Sequence, residues 1–82
     1  MKLFIVSIED IFDYVSNHHV PYLAKTKEEA KRYLKEKTET AIEQTPDWVQ
    51  ELGEDYSELY LDGEYSCNHW SAQIDEVEFD LT

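Results

Sequence analysis

The stretch Thr26-Lys27-Glu28-Glu29, followed by Ala30, Tyr33, Leu34, Ala41 and Ile42, constrains this chain more than any other feature. A Thr with Glu three residues later fits the capping box: the Thr26 hydroxyl accepts from the backbone N–H of Glu29, and the Glu29 carboxylate reaches back. Such a cap is worth about 1 kcal/mol. The apolar residues recur on one helical face, while Lys31, Lys35 and Glu39 repeat every four residues on the other. Glu28–Arg32 and Lys35–Glu39 stand at i,i+4 spacing and are expected to pair, for roughly 0.3–0.5 kcal/mol each. The spacing predicts a helix over residues 27–44, ended before Pro46.

The flanking segments read as strands. Leu3 to Ile8 is a short run of β-branched and aromatic residues, expected as a central strand that extends toward Ile11 or Phe12. Tyr14 to Asn17 has the look of a turn. Val20 to Ala24 reads as a second strand, which Pro21 pushes to an edge or a bulge because proline donates no ladder hydrogen bond. Thr45 suits an N-cap, Pro46 a first helical position and Gly53 a left-handed stop, so a short second helix is expected over 46–52. Asp62-Gly63 is a favoured two-residue hairpin turn, predicting strand 57–61 paired with 64–69. In the last strand Trp70, Ala72 and Ile74 alternate inward, then Val77, Phe79 and Leu81 do so. The phase slips at Asp75-Glu76, which predicts a bulge or a short break and points Glu76, Glu78 and Asp80 outward together.

The sum is an α+β fold: an antiparallel sheet of four or five strands packed by one long helix and a short second helix, in the order ββααβββ. Its 82 residues are expected to form a single domain, 1–82, with one thin two-layer core. Trp70 and Trp48 are expected in that core.

Charge is divided unevenly. The net charge is −12 with His neutral. All seven bases lie in residues 1–37, and residues 38–82 carry thirteen acids and no base. Solubility asks only for a net charge of magnitude about 2–8 in a small domain. Phosphate contacts need Lys and Arg, so direct nucleic-acid binding by the acidic half is not expected. The bases between Lys25 and Lys37 are interleaved with Glu28, Glu29 and Glu36, as on a solvated helix face. Like charges at this density repel, and a positively charged partner would relieve that repulsion.

Other chemistry finds little footing. Cys67 is the single cysteine and forms no intrachain disulfide. The N-terminal apolar run is too short for a signal peptide, and no stretch approaches a membrane span, so a cytoplasmic location without membrane contact is expected. His18, His19, Cys67 and His69 are the only soft metal ligands. Cys67-x-His69 lacks the spacing of structural zinc sites, and adjacent histidines on a strand face opposite ways, so no metal or other cofactor is expected. No serine sits in a nucleophile elbow, no basic neighbour activates Cys67, and neither glycine makes a phosphate loop. The chain is not expected to be an enzyme.

The opening Lys2-Leu3-Phe4-Ile5-Val6, the helix start Thr26 to Leu34 and the closing Ile74 to Asp80 resemble a loose group of small phage and bacterial proteins of unknown function. The resemblance implies a ββα…β fold and a mobile-element context, hence a host cytoplasm if the chain is phage-encoded. It transfers no catalytic residue. Charge then suggests a protein-binding module whose acidic, nucleic-acid-mimicking face engages the basic surface of a nucleic-acid-binding protein. By analogy with small acidic phage inhibitors, the target would be a host defence protein of the restriction or CRISPR type. The expected contact residues are the acids Glu54, Asp55, Glu58, Asp62, Glu64, Glu76, Glu78 and Asp80. The aromatic anchors among them are Tyr56, Tyr60 and Tyr65. The alternative is a structural or assembly accessory acting as a homodimer, suggested by the two-sided apolar character of Leu3 to Val6, which one helix layer does not cover.

Overall fold

The computed structural model describes residues 2–12, 15–61 and 68–78. Six strands and one helix follow in the order β1 (Lys2–Phe12), β2 (Val15–His18), β3 (Tyr22–Ala24), α1 (Lys27–Gln44), β4 (Val49–Leu52), β5 (Tyr56–Tyr60) and β6 (His69–Glu78). The fold is α+β with an antiparallel sheet, as the sequence predicts. The order is βββαβββ rather than ββααβββ, with one helix and six strands among the described residues.

The sheet runs β2-β1-β6-β5-β4, and β3 also pairs with β1. β2 and β3 follow one another along the same edge of β1: Glu9 to Phe12 pair with β2, and Phe4 to Val6 pair with β3. Between them the His19 N–H reaches the Ile8 carbonyl at 3.1 Å. The strand expected at Val20–Ala24 is thus a short β3, with Val20 and Pro21 outside it. Val15 to Asn17, read as part of a turn, belongs to β2. These residues are polar or exposed, so local composition hides their pairing.

α1 keeps the predicted bounds. The Glu29 N–H donates to Thr26 Oγ1 at 3.1 Å. The Glu29 carboxylate reaches one residue further back than the capping box requires: it accepts from the Lys25 N–H at 3.2 Å and from the Tyr22 hydroxyl at 2.6 Å. That bond to Tyr22, then the one to Lys25, holds the Glu29 carboxyl below its ordinary value, and its carboxylate raises the Tyr22 hydroxyl above its own. The two expected i,i+4 pairs do not form: among the described residues Lys2–Glu76, at 3.3 Å, is the one Lys or Arg ion pair.

Ala30, Leu34 and Ala41 bury against Val6 and Ile8 of β1, Ala24 of β3, Leu59 of β5, and Trp70 and Ala72 of β6. Full burial of side chains such as Leu59 and Val6 contributes about 1.5–3 kcal/mol each. Thr38 sits buried in this face, its hydroxyl 2.7 Å from the Leu34 carbonyl and 2.8 Å from the Ser57 hydroxyl. Trp48 is half-buried, its ring 5.3 Å from Phe12.

The short second helix is a correction. Residues 49–52 form β4, paired with β5 from Val49↔Tyr60 to Leu52↔Ser57. Thr45 does not open a helix; its hydroxyl caps the end of α1 on the Ala41 carbonyl at 2.7 Å. A single helical turn or two is marginal in water, whereas four residues on a neighbouring strand gain a ladder.

Two further expectations change. Leu61 donates to the Asn68 carbonyl at 3.2 Å, and β5 continues into β6 by Tyr60↔His69. The strand expected over 57–61 thus pairs with the segment from residue 68 onward; the expected turn at Asp62-Gly63 lies outside the described residues. β6 also has no bulge. Its register against β1 runs without a step from Lys2↔Glu78 to Ile11↔His69. Val77 therefore faces the opposite side from Trp70, Ala72 and Ile74. Phe79 and Leu81, the rest of the expected second phase, lie outside the described residues.

Candidate protein-interaction face

Alternation along each strand assigns side chains to two faces. The helix side holds Phe4, Val6, Ile8 and Asp10 of β1, with Trp70, Ala72 and Ile74 beside them. The other face has no helix on it. It displays Leu3, Ile5, Ser7, Glu9 and Ile11 from β1, Tyr56, Glu58 and Tyr60 from β5, and His69, Ser71, Gln73, Asp75 and Val77 from β6. Val49 and Glu51 of β4, His18 of β2 and Leu23 of β3 join this face through their pairing.

Sheet order makes this face electrostatically one-sided. The strands of the base-free half, β6, β5 and β4, lie next to one another. Lys27 to Lys37 sit on α1, on the opposite side of the sheet. Among the described strand residues the helix-free face carries Glu9, Glu51, Glu58 and Asp75 and no Lys or Arg.

Each carboxylate has a polar neighbour. His69 Nε2 lies 2.7 Å from Glu58 Oε1, and His18 Nδ1 lies 3.4 Å from Glu9 Oε1. Gln73 Nε2 donates to Asp75 Oδ2 at 3.2 Å, and the Tyr60 hydroxyl donates to Glu51 Oε1 at 3.4 Å. Glu51 and Glu58 are direct cross-strand partners. Like charges in that position are destabilising, by roughly 0.2–1 kcal/mol.

The expected contact residues divide between the two sides. Glu58, Tyr56 and Tyr60 share the helix-free face. Glu54 and Asp55 form the turn between β4 and β5, where the Asp55 carbonyl accepts from the Ile74 N–H at 2.8 Å. Glu76 and Glu78 lie on the helix side of β6, and Glu76 is engaged by Lys2. The acids expected in one row are therefore not one surface: unbroken register turns Glu76 and Glu78 away from Glu58. Asp62, Glu64, Tyr65 and Asp80 lie outside the described residues. Glu9, Glu51 and Asp75 join Glu58 instead. Sequence reasoning passed over Glu9 because it belongs to the base-containing half, and Glu51 because it was placed in a helix.

The histidines have carboxylate partners. His19 Nε2 lies 2.6 Å from the buried Asp10, which also accepts from Asn17 Nδ2 at 3.0 Å. No three His, Cys, Asp or Glu side chains converge on a metal position among the described residues. No described helix is long and apolar enough to cross a membrane.

An apolar strip borders the acidic area. Leu3 pairs with Val77, and Ile5 pairs with Leu23, which is 58 % exposed. Searches against protein families, curated proteins and solved structures find no match for this chain.

Proposed function

We propose that the protein is a small acidic binding module that engages the basic surface of a nucleic-acid-binding protein through its helix-free sheet face. The observation that carries this reading is the face itself: four carboxylates, two of them cross-strand partners, and no Lys or Arg among the described strand residues that point to it. Tyr56, which is 50 % exposed, and Tyr60 supply aromatic surface beside Glu58 and Glu51. Aromatic rings amid carboxylates suit Arg and Lys, which pair with the acid and lie over the ring.

Same-face side chains recur about every 6.7 Å along a strand, and strands lie about 4.8 Å apart. A surface built to hold phosphates presents cations that such a grid of carboxylates can meet. The narrower role, occupying the phosphate channel of a host defence nuclease, rests on charge and on analogy with small acidic phage inhibitors.

The test compares retention of lysate proteins on immobilised wild type and on two triple variants. Glu51→Lys, Glu58→Lys and Asp75→Lys reverse the helix-free face; Glu36→Lys, Glu39→Lys and Glu43→Lys reverse the outside of α1 by the same charge. The wild type and the helix variant should retain nucleic-acid-binding proteins at about 0.1 M salt and release them toward 1 M, where screening shortens to about 3 Å. The face variant should retain none. Equal retention by both variants rejects the reading.

The homodimer reading is favoured by the strip Leu3, Ile5, Leu23 and Val77. Sedimentation equilibrium decides it: a Leu23→Asp change should convert a dimer to a monomer, and a wild-type monomer at high concentration rejects it.

A further inference from the structure

α1 packs over β3, β1, β6 and β5 and does not reach β4. On the helix side this leaves a cleft of about 340 Å³ between α1 and the β4–β5 hairpin. Leu34 and Ile42 line it from the helix, and Leu52 lines it from β4. Leu52 is 55 % exposed although it points to the core side of the sheet. Thr38 and Ser57 also line the cleft, and their hydroxyls are already bonded to each other, so they add polarity without a free group in need of a partner. The volume lies at the small end of the range for ligand sites, about 300–1,000 Å³.

Lys31 and Lys35 stand one helical turn apart on the lip of this cleft. Lys31 is half-buried, the burial expected where a lysine stem covers apolar surface and its ammonium reaches water. Neither makes an ion pair among the described residues, although Glu39 follows Lys35 by one turn and Glu54 stands on the hairpin side. Among the described residues, two unpaired cations one turn apart share the mouth of this apolar trough with two unpaired carboxylates, Glu39 and Glu54; with the adjacent lysines as the anchor, the complement is an apolar body with one anionic end. Because Glu39 and Glu54 border the same cleft, a more highly charged head would be repelled.

We propose that this cleft binds a small aliphatic monocarboxylate, its chain against Leu34, Ile42 and Leu52 and its carboxylate at Lys31 and Lys35. The site is on the opposite side of the sheet from the acidic face and does not depend on it. A neutral amphiphile of the same length gains the apolar contacts only.

The test titrates the full chain with decanoate and, separately, with decanol, both below the concentration at which they aggregate, while amide chemical shifts are followed. Decanoate should give saturable shifts at Leu34, Ile42, Leu52 and Gly53 and bind about fivefold more tightly than decanol, as expected for solvent-screened pairs. Lys31→Gln with Lys35→Gln should bring decanoate below the affinity of decanol, because Glu39 and Glu54 then act on the carboxylate unopposed. Glu54→Gln should tighten decanoate about twofold and leave decanol unchanged. All three positions are at the surface, so folding is checked by an otherwise unchanged spectrum. Absence of saturable shifts below aggregation, shifts centred on the helix-free face, or equal affinity of the wild type for the two probes would overturn the assignment.

Discussion

The Tyr56 ring occupies the space that a β-carbon on Gly53 would fill: such a carbon would overlap Tyr56 Cε1. The two residues close the β4–β5 hairpin, with the Gly53 N–H on the Tyr56 carbonyl at 2.9 Å. Gly53 is thus required by the ring above it rather than by a left-handed helix stop. Gly53→Ala should turn the half-exposed ring into solvent at a cost of about 1 kcal/mol. In a domain of this size that reads as a Tm fall of about 4–8 °C. In a Tyr56→Ala background the same change should cost close to nothing, which a double-mutant cycle measures.

The Thr38–Ser57 contact is asymmetric. The Thr38 hydroxyl has one proton and lies near both the Leu34 carbonyl and the Ser57 hydroxyl. A carbonyl only accepts, so the Thr38 proton serves it best and the Ser57 hydroxyl donates to Thr38. Thr38→Val strands a buried hydroxyl and should cost about 1–3 kcal/mol; Ser57→Ala leaves Thr38 bonded to Leu34 and should cost less than about 1. Urea melts of the two variants should show that order, and the double variant should lie nearer Ser57→Ala.

Asp10 is a buried carboxylate, 7 % exposed, held by His19 and Asn17. Removing one partner from a buried charged group is more costly than losing a neutral bond. His19→Ala should therefore destabilise the chain by about 2 kcal/mol. His18→Ala, whose exposed ring lies 3.4 Å from an exposed Glu9, should be nearly neutral. Equal losses for the two would contradict the assigned difference in burial.

The Tyr22–Glu29 bond links stability to pH at both ends of the scale. Glu29 is held below its ordinary value chiefly by this bond, so its contribution is present above the unfolded value near 4.5 and is lost as pH falls through the lower folded one. Tyr22 is raised chiefly by the same bond. Its contribution is complete below the unfolded value of 10.0 and is lost as pH rises through the higher folded one. Tyr22→Phe should flatten both limbs of a stability–pH curve and lower the neutral plateau by the same small amount, because the pair is only partly buried and solvent screens it.

How legible each part was follows from how local its cause is. α1 could be bounded from Thr26 and the 3.6-residue recurrence because cap and face are written within one segment. β4 could not, because Thr45-Pro46 and Gly53 satisfy local helix grammar, and only the partner strand β5 decides against it. The phase change at Asp75-Glu76 was visible but was given the wrong cause. A single apolar face requires a bulge there; a sheet with apolar residues on both sides, Ile74 on one and Val77 on the other, requires none. The same unbroken register decides the candidate site. Glu58, Tyr56 and Tyr60 alternate within one strand, so their common face could be read. Glu76 and Glu78 are separated from them by a pairing between strands that no single segment records.

The interrupted edge formed by β2 and β3 has a consequence for the behaviour of the protein in concentrated solution. Runs of four and three paired residues, with Pro21 between them, offer an incoming chain no long template of free amide groups, and β4 at the far margin is equally brief. Among the described residues, strand-by-strand growth is therefore disfavoured at both rims, although the sheet is bare on one side.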